Sequence, residues 1–173
     1  MQPEAAQMKK QTKFIHIILG TLIVVALAVG AGYGATATGS QTVTITAANA
    51  IEITVPGTAS ISANAGVAGG CGTANTSITV KSNKVWSLQV QANSAYTGGK
   101  AKNASSVFLT NAFQWGTDGS TYSNITTAYA DAFTSQAKTG SAGVSKTVYY
   151  KQCVTYDDDP ADYTIVVDYQ GSN

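Results

Sequence analysis

A change of hydrophobic period sets the strongest limit on what this chain can fold into. Over residues 14–31 apolar residues run almost unbroken, whereas from Gln41 onward they recur at every second position. A two-residue period belongs to half-buried β-strands, because successive side chains of a strand point to opposite faces. Residues 41–46 read QTVTIT, with Val43 and Ile45 between threonines. Ile51, Ile53 and Val55 alternate up to Pro56-Gly57, a turn-forming pair. Trp86, Leu88 and Val90 alternate with Ser87, Gln89 and Gln91. Short strands are also predicted over residues 59–63, at 76–80 and around Phe113 and Trp115. Two longer ones are predicted at 146–156 and 163–169, the latter with Tyr163, Ile165, Val167 and Tyr169 on one face.

Helical spacing is absent after residue 41, apart from one helical turn expected within residues 128–137. Residues 66–72 and 97–99, rich in glycine, are read as the most flexible loops. Seven to nine short strands in about 135 residues point to a single antiparallel β-sandwich of Ig-like or jelly-roll type. The expected division is a targeting segment at 1–37, an N-terminal strand at 38–50 and the sandwich at 51–173. No internal repeat is evident.

The apolar run at 14–31 follows Lys9, Lys10 and Lys13. A basic stretch, an apolar stretch and small residues in that order describe a secretory signal peptide. Cleavage is expected after Ala37, with Ala28 and Ala31 as other small-residue sites. The run is also near the length of a membrane-spanning helix, so an uncleaved anchor is the rival reading. A type IV pilin helix fits less well, since no Glu lies a few residues into the run. Export places the protein outside the cell or at its surface, in contact with the membrane only through this segment.

Export gives the two cysteines a meaning. Cys71 and Cys153 are the only pair in the chain and are expected to form one disulfide. Three Asn-x-Ser/Thr sequons, at Asn75, Asn103 and Asn124, are candidate glycan acceptors, with Asn103 and Asn124 favoured as loop residues. Asp157, Asp159 and Asp162 lie in the acidic stretch YDDDPADY. They are weak candidates for calcium, and a solvated turn accounts for them more simply.

The same inventory argues against several functions. The sole histidine, His16, lies in the targeting segment, so the rest of the chain has no imidazole for general-base or triad chemistry. Arginine is absent, and the lysines form no basic stripe, which argues against nucleic acid as a partner. No enzyme activity and no cofactor are expected. Only 11% of residues are charged, so copies of the chain repel one another weakly.

Two stretches carry a family resemblance. SITVKSNKVWSLQV at 77–90 resembles the strand, Ser-Asn turn and Trp-containing strand of small secreted β-sandwiches. YYKQCVTYDDDPADYTIVVDY at 149–169 is similar to their closing hairpin. The group includes subunits of archaeal bundling pili and of TasA-type biofilm fibres. The resemblance implies a filament subunit whose partner is another copy, joined when an N-terminal strand fills a groove in the next subunit. Val43 and Ile45 are the candidate donor residues; equally, residues 41–46 can be the first strand of their own sandwich. The alternative function is a monomeric, secreted or membrane-tethered adhesion module that binds surface partners, glycans among them.

Overall fold

The computed structural model describes residues 38–67 and 69–173. The targeting segment expected at 1–37, with its expected cleavage sites, lies outside the described residues. Within them the protein is all-β, with no α-helix. The strands are β1 (Ile51–Thr54), β2 (Cys71–Ser82), β3 (Trp86–Ala92), β4 (Gln114–Gly116), β5 (Ser123–Asn124), β6 (Ala130–Gln136), β7 (Val144–Cys153) and β8 (Val167–Ser172). They form two antiparallel sheets, ordered β1-β2-β7-β4-β5 and β6-β3-β8.

The chain crosses repeatedly between the sheets, and two of these crossings link equivalent neighbours. β2 leads into β3, and β7 into β8, each passing from the first sheet to the second; β7 then pairs with β2, and β8 with β3. The shared core follows from the strand period. β2 contributes Ile78 and Val80, β3 contributes Trp86, Leu88 and Val90, and β7 contributes Val148 and Tyr150. Trp86 satisfies its indole N–H by donating to the Ala137 carbonyl at 2.9 Å. Each such apolar side chain contributes roughly 2 kcal/mol when withdrawn from water.

Four sequence expectations need correction. Residues 128–137 hold no helical turn: they contain β6, which pairs with β3 through register shifts between Trp86 and Gln89. A bulge of this kind breaks the two-residue period, so Ala132 and Phe133 are both half-buried and the strand is hard to read. Residues 59–63 join no ladder, although Ile61 packs against the core. The last strand starts at Val167 rather than 163, although Tyr163, Ile165, Val167 and Tyr169 do alternate with more exposed or polar neighbours.

The fourth concerns the extent of the two glycine-rich loops, parts of which belong to a 3-10 turn and to β2. Residues 97–99 form a single 3-10 turn, and Gly99 there has φ +64° and would place a Cβ 1.9 Å from the Ile125 carbonyl oxygen. Only glycine fits that position. The other loop turns through Val67 N–H to the Asn64 carbonyl and Gly70 N–H to the Val67 carbonyl, and its last two residues, Cys71 and Gly72, already belong to β2.

Candidate functional site

The site is built from what β2 lacks. Its inward positions in the C-terminal half are Ile78, Val80 and Ser82, all buried. Toward the N-terminal half the same face carries Thr76, Ala74 and Gly72, side chains too small to fill the space between two sheets. β1 covers only Thr79 to Ser82 of this edge. The stretch 72–78 therefore has β7 on one side and no ladder partner on the other among the described residues. The backbone of 61–62 lies close by, since a Cβ on Gly72 would meet the Ser62 carbonyl oxygen at 2.0 Å.

A groove of about 740 Å³ lies nearby, and of the β2 residues Thr76 alone lines it. Val55, Pro56 and Gly57 form one rim and residues 161–166 the other, while Tyr96, Leu109, Phe113, Tyr150 and Gln152 lie beneath. Its volume is in the range of ligand-binding clefts. Among the lining residues the only charged side chain is Asp162.

Two polar features stand out in this apolar setting. Tyr150 of β7 and Tyr169 of β8 share a hydroxyl–hydroxyl hydrogen bond that links the two sheets. Burial pushes both hydroxyls above the usual tyrosine range, and for Tyr169 the proximity of Tyr150 adds to it. Both therefore stay protonated and able to donate. Gln152 is only 6% exposed. Its Nε2 donates to the Cys153 carbonyl at 2.8 Å and to the Asn111 carbonyl at 3.3 Å, but its buried Oε1 has no partner among the described residues. A buried acceptor without a donor costs free energy on the order of 1–3 kcal/mol.

The candidate donor residues lie elsewhere. Residues 38–50 hold no strand or helix and are exposed at every position. Val43 is 71% exposed and Ile45 86%. The expected N-terminal strand therefore joins no ladder among the described residues. Asn83 fixes the point where the chain enters the fold. Its Nδ2 donates to the Ala48 carbonyl at 2.8 Å, and its Oδ1 accepts from the Ala50 N–H at 2.9 Å.

The remaining candidates are scattered. Cys71 and Cys153 form the disulfide, joining the first residue of β2 to the last of β7 at the groove end of the sheets. Asn75 is exposed in the middle of β2, and Asn124 is exposed in β5, a strand rather than a loop. Asn103 is half-buried, and its Oδ1 accepts from the N–H groups of Ser105 and Val107, each at 3.0 Å. Asp157 and Asp159 are exposed, and no three acidic, His or Cys side chains converge as a metal site among the described residues. Asp162 instead borders the groove. Asp158, between the calcium candidates, accepts from the N–H groups of Thr110 at 2.7 Å and Thr155 at 2.8 Å. Burial alone would raise its pKa, but these backbone donors outweigh it and hold the carboxyl below the usual range.

The groove and Gln152 had no counterpart in the sequence reading. The fading of apolar residues along the inward face of β2 was the available signal. Compared with protein-family models, curated proteins and solved structures, the chain matches none.

Proposed function

We propose that the chain is an exported structural subunit of an extracellular filament, a pilus, thread or biofilm fibre, in which copies join through residues 41–46. The observation that carries the reading is the exposure of Val43 and Ile45 in an alternating segment that belongs to no strand. Apolar residues alternating with threonine are poorly served by water and well served by an added β-strand. Its backbone groups would pair with an open edge while Val43 and Ile45 enter an apolar layer. The segment from 38 to 50 carries no charge, so its burial costs no ionic desolvation.

The sheet crossings of β2–β3 and β7–β8 support an Ig-like or jelly-roll sandwich as the repeating unit. The disulfide agrees with an oxidising compartment and hence with export. In this role the protein works by shape and cohesion, without a catalytic step or cofactor.

Deleting residues 41–46 from the full-length chain tests the reading. The deleted chain should keep its thermal transition yet release only monomers, where the intact chain gives filaments under negative stain. Filaments formed as before would exclude the segment as the joint. An intact chain that stays monomeric would favour the tethered adhesion module.

A further inference from the structure

We infer that the Asp159–Pro160 peptide bond is a self-cleavage site, at which the Asp159 carboxyl attacks its own backbone carbonyl and the Tyr163 hydroxyl stabilises the carbonyl oxygen. The inference is independent of the filament reading and concerns a covalent change the chain makes in itself. It rests on the nature of one peptide bond and on what the fold places around it.

The bond comes first. Of the three prolines in the chain only Pro160 follows an aspartate, since Pro3 follows Gln2 and Pro56 follows Val55. An aspartate reaches its own carbonyl carbon through a five-membered ring and needs no nucleophile from elsewhere. The nitrogen of an X–Pro bond is that of a tertiary amide. It leaves as a secondary amine, which takes up a proton readily as the bond breaks.

The fold then holds the reacting group. The Tyr163 hydroxyl donates to the Asp159 carbonyl oxygen at 3.0 Å. That oxygen gains negative charge when its carbon is attacked, and a donor at this distance stabilises it. Tyr163 is half-buried and borders the groove, so its ring is seated rather than free in solvent. On one side of the bond the Asp158 carboxyl is tied to the N–H groups of Thr110 and Thr155. On the other, Thr164 exchanges two backbone hydrogen bonds with Lys102, each at 2.9 Å. The Asp159 side chain, by contrast, is exposed and forms no ion pair among the described residues, which leaves its carboxyl able to turn onto the carbonyl. Asp157 and Asp162 are exposed as well, but neither precedes a proline.

The step balances as a hydrolysis. A carboxyl oxygen of Asp159 bonds to the carbonyl carbon, the bond from that carbon to the Pro160 nitrogen breaks, and the carboxyl proton ends on the nitrogen. One solvent water opens the cyclic anhydride left on Asp159, giving two free carboxyls there and a secondary-amine N-terminus at Pro160. The pieces stay together. The downstream piece keeps the Thr164 bonds to Lys102 and all of β8, which pairs with β3 from Ser87 to Ala92. The disulfide lies wholly in the upstream piece. Cleavage therefore frees one end of the groove rim without dismantling the sheet.

The test follows the full-length chain by mass spectrometry at about pH 5, where the Asp158 ties are still in place. Under denaturing conditions two fragments should appear, one ending at Asp159 and one starting at Pro160. Under native conditions they should run as one species heavier by one water. The folded chain should cleave roughly tenfold or more faster than the same chain held unfolded in urea, because only the fold brings Tyr163 to the carbonyl. Tyr163→Phe should fall to the unfolded rate with its thermal transition unchanged, and Asp159→Ala should not cleave. Equal rates in the folded and unfolded chain would leave only the ordinary acid lability of an Asp–Pro bond and overturn the site. So would Tyr163→Phe cleaving as fast as the unmodified chain, cleavage that persists in Asp159→Ala, or a folded chain that yields no fragments.

Discussion

Where β1 meets β8, Ile51 and Ile53 pack so closely on Gly171 that a Cβ there would meet the Ile53 Cδ1 at 2.6 Å. Ile78, Val80, Trp86 and Leu88 behind them are excluded from water. At the opposite end β1 is gone, the inward face of β2 falls away to glycine and alanine, and the groove opens. The fastenings change accordingly. The closed end combines apolar burial with polar ties of its own, from Asn83 to Ala48 and Ala50, Trp86 to Ala137 and Asn173 to Ala50. The groove end is held by the Cys71–Cys153 disulfide and by polar ties: Gln152 and Asn111 to the Cys153 carbonyl, Asn93 to Asp168, and Asp158 to Thr110 and Thr155. A cleft interrupts the apolar packing at this end, and the disulfide is the one covalent link between strands there.

The largest effect that would sharpen this contrast is removal of the disulfide. The cysteines are 82 residues apart. Constraining a loop of that length in the unfolded chain is worth about 4 kcal/mol on chain-entropy grounds. Replacing both cysteines by serine should lower stability by that order in denaturant titration. Hydrogen exchange should rise first at Gly70, Val154 and the β2–β7 termini. Equal loosening at Trp86 and Leu88 would break the comparison.

Next come matched truncations at the two ends. Leu88→Ala removes a fully buried side chain between β6 and β8 and should cost roughly 3 kcal/mol. Ile165→Ala, at the half-buried rim of the groove, should cost about 1 kcal/mol, because much of its surface already faces the cleft. Costs of similar size would mean that the groove end is packed like the closed end.

What the sequence made legible follows the same division. β3 could be read because all its inward residues are apolar and its ladder with β8 is regular. The disulfide followed from counting cysteines in a chain whose sequence reads as exported. β2 was legible only from Thr76 onward, since GTANTS presents no apolar face, although its backbone continues to Cys71. β6 was hidden by its bulge. The groove was not legible at all. It depends on Gly57, Tyr96, Gln152 and Ala161 converging from distant parts of the chain, and on a space rather than on a motif. The exposed Val43 and Ile45 were visible as a pattern, but whether they pair within their own fold is a question of register that periodicity leaves open.

The smallest expected effect concerns acid, and it acts on the groove end alone. Asp158 bridges the Thr110 and Thr155 N–H groups, and its pKa lies below the usual carboxylate value because those donors favour the ionised form. A depressed folded-state pKa contributes stability that is fully present above the unfolded value. That stability is lost as pH falls through the lower, folded one. Acidification below about pH 4 should therefore release the Thr110 and Thr155 amides to exchange, while the Leu88 and Val90 amides of the closed core stay protected. Asp158→Asn should reproduce the loosening at neutral pH and flatten its dependence on acid, because the uncharged amide accepts these bonds more weakly. Asp118 provides a control away from the groove rim. The N–H groups of Thr121 and Ser120 hold its carboxyl at about 2, so its turn should open only in stronger acid. Amide exchange measured residue by residue between pH 5 and pH 2 would resolve this order. Simultaneous loss of protection at Thr110, Thr121 and Leu88 would show that the ends unfold as one unit and that the polar ties have no separate role.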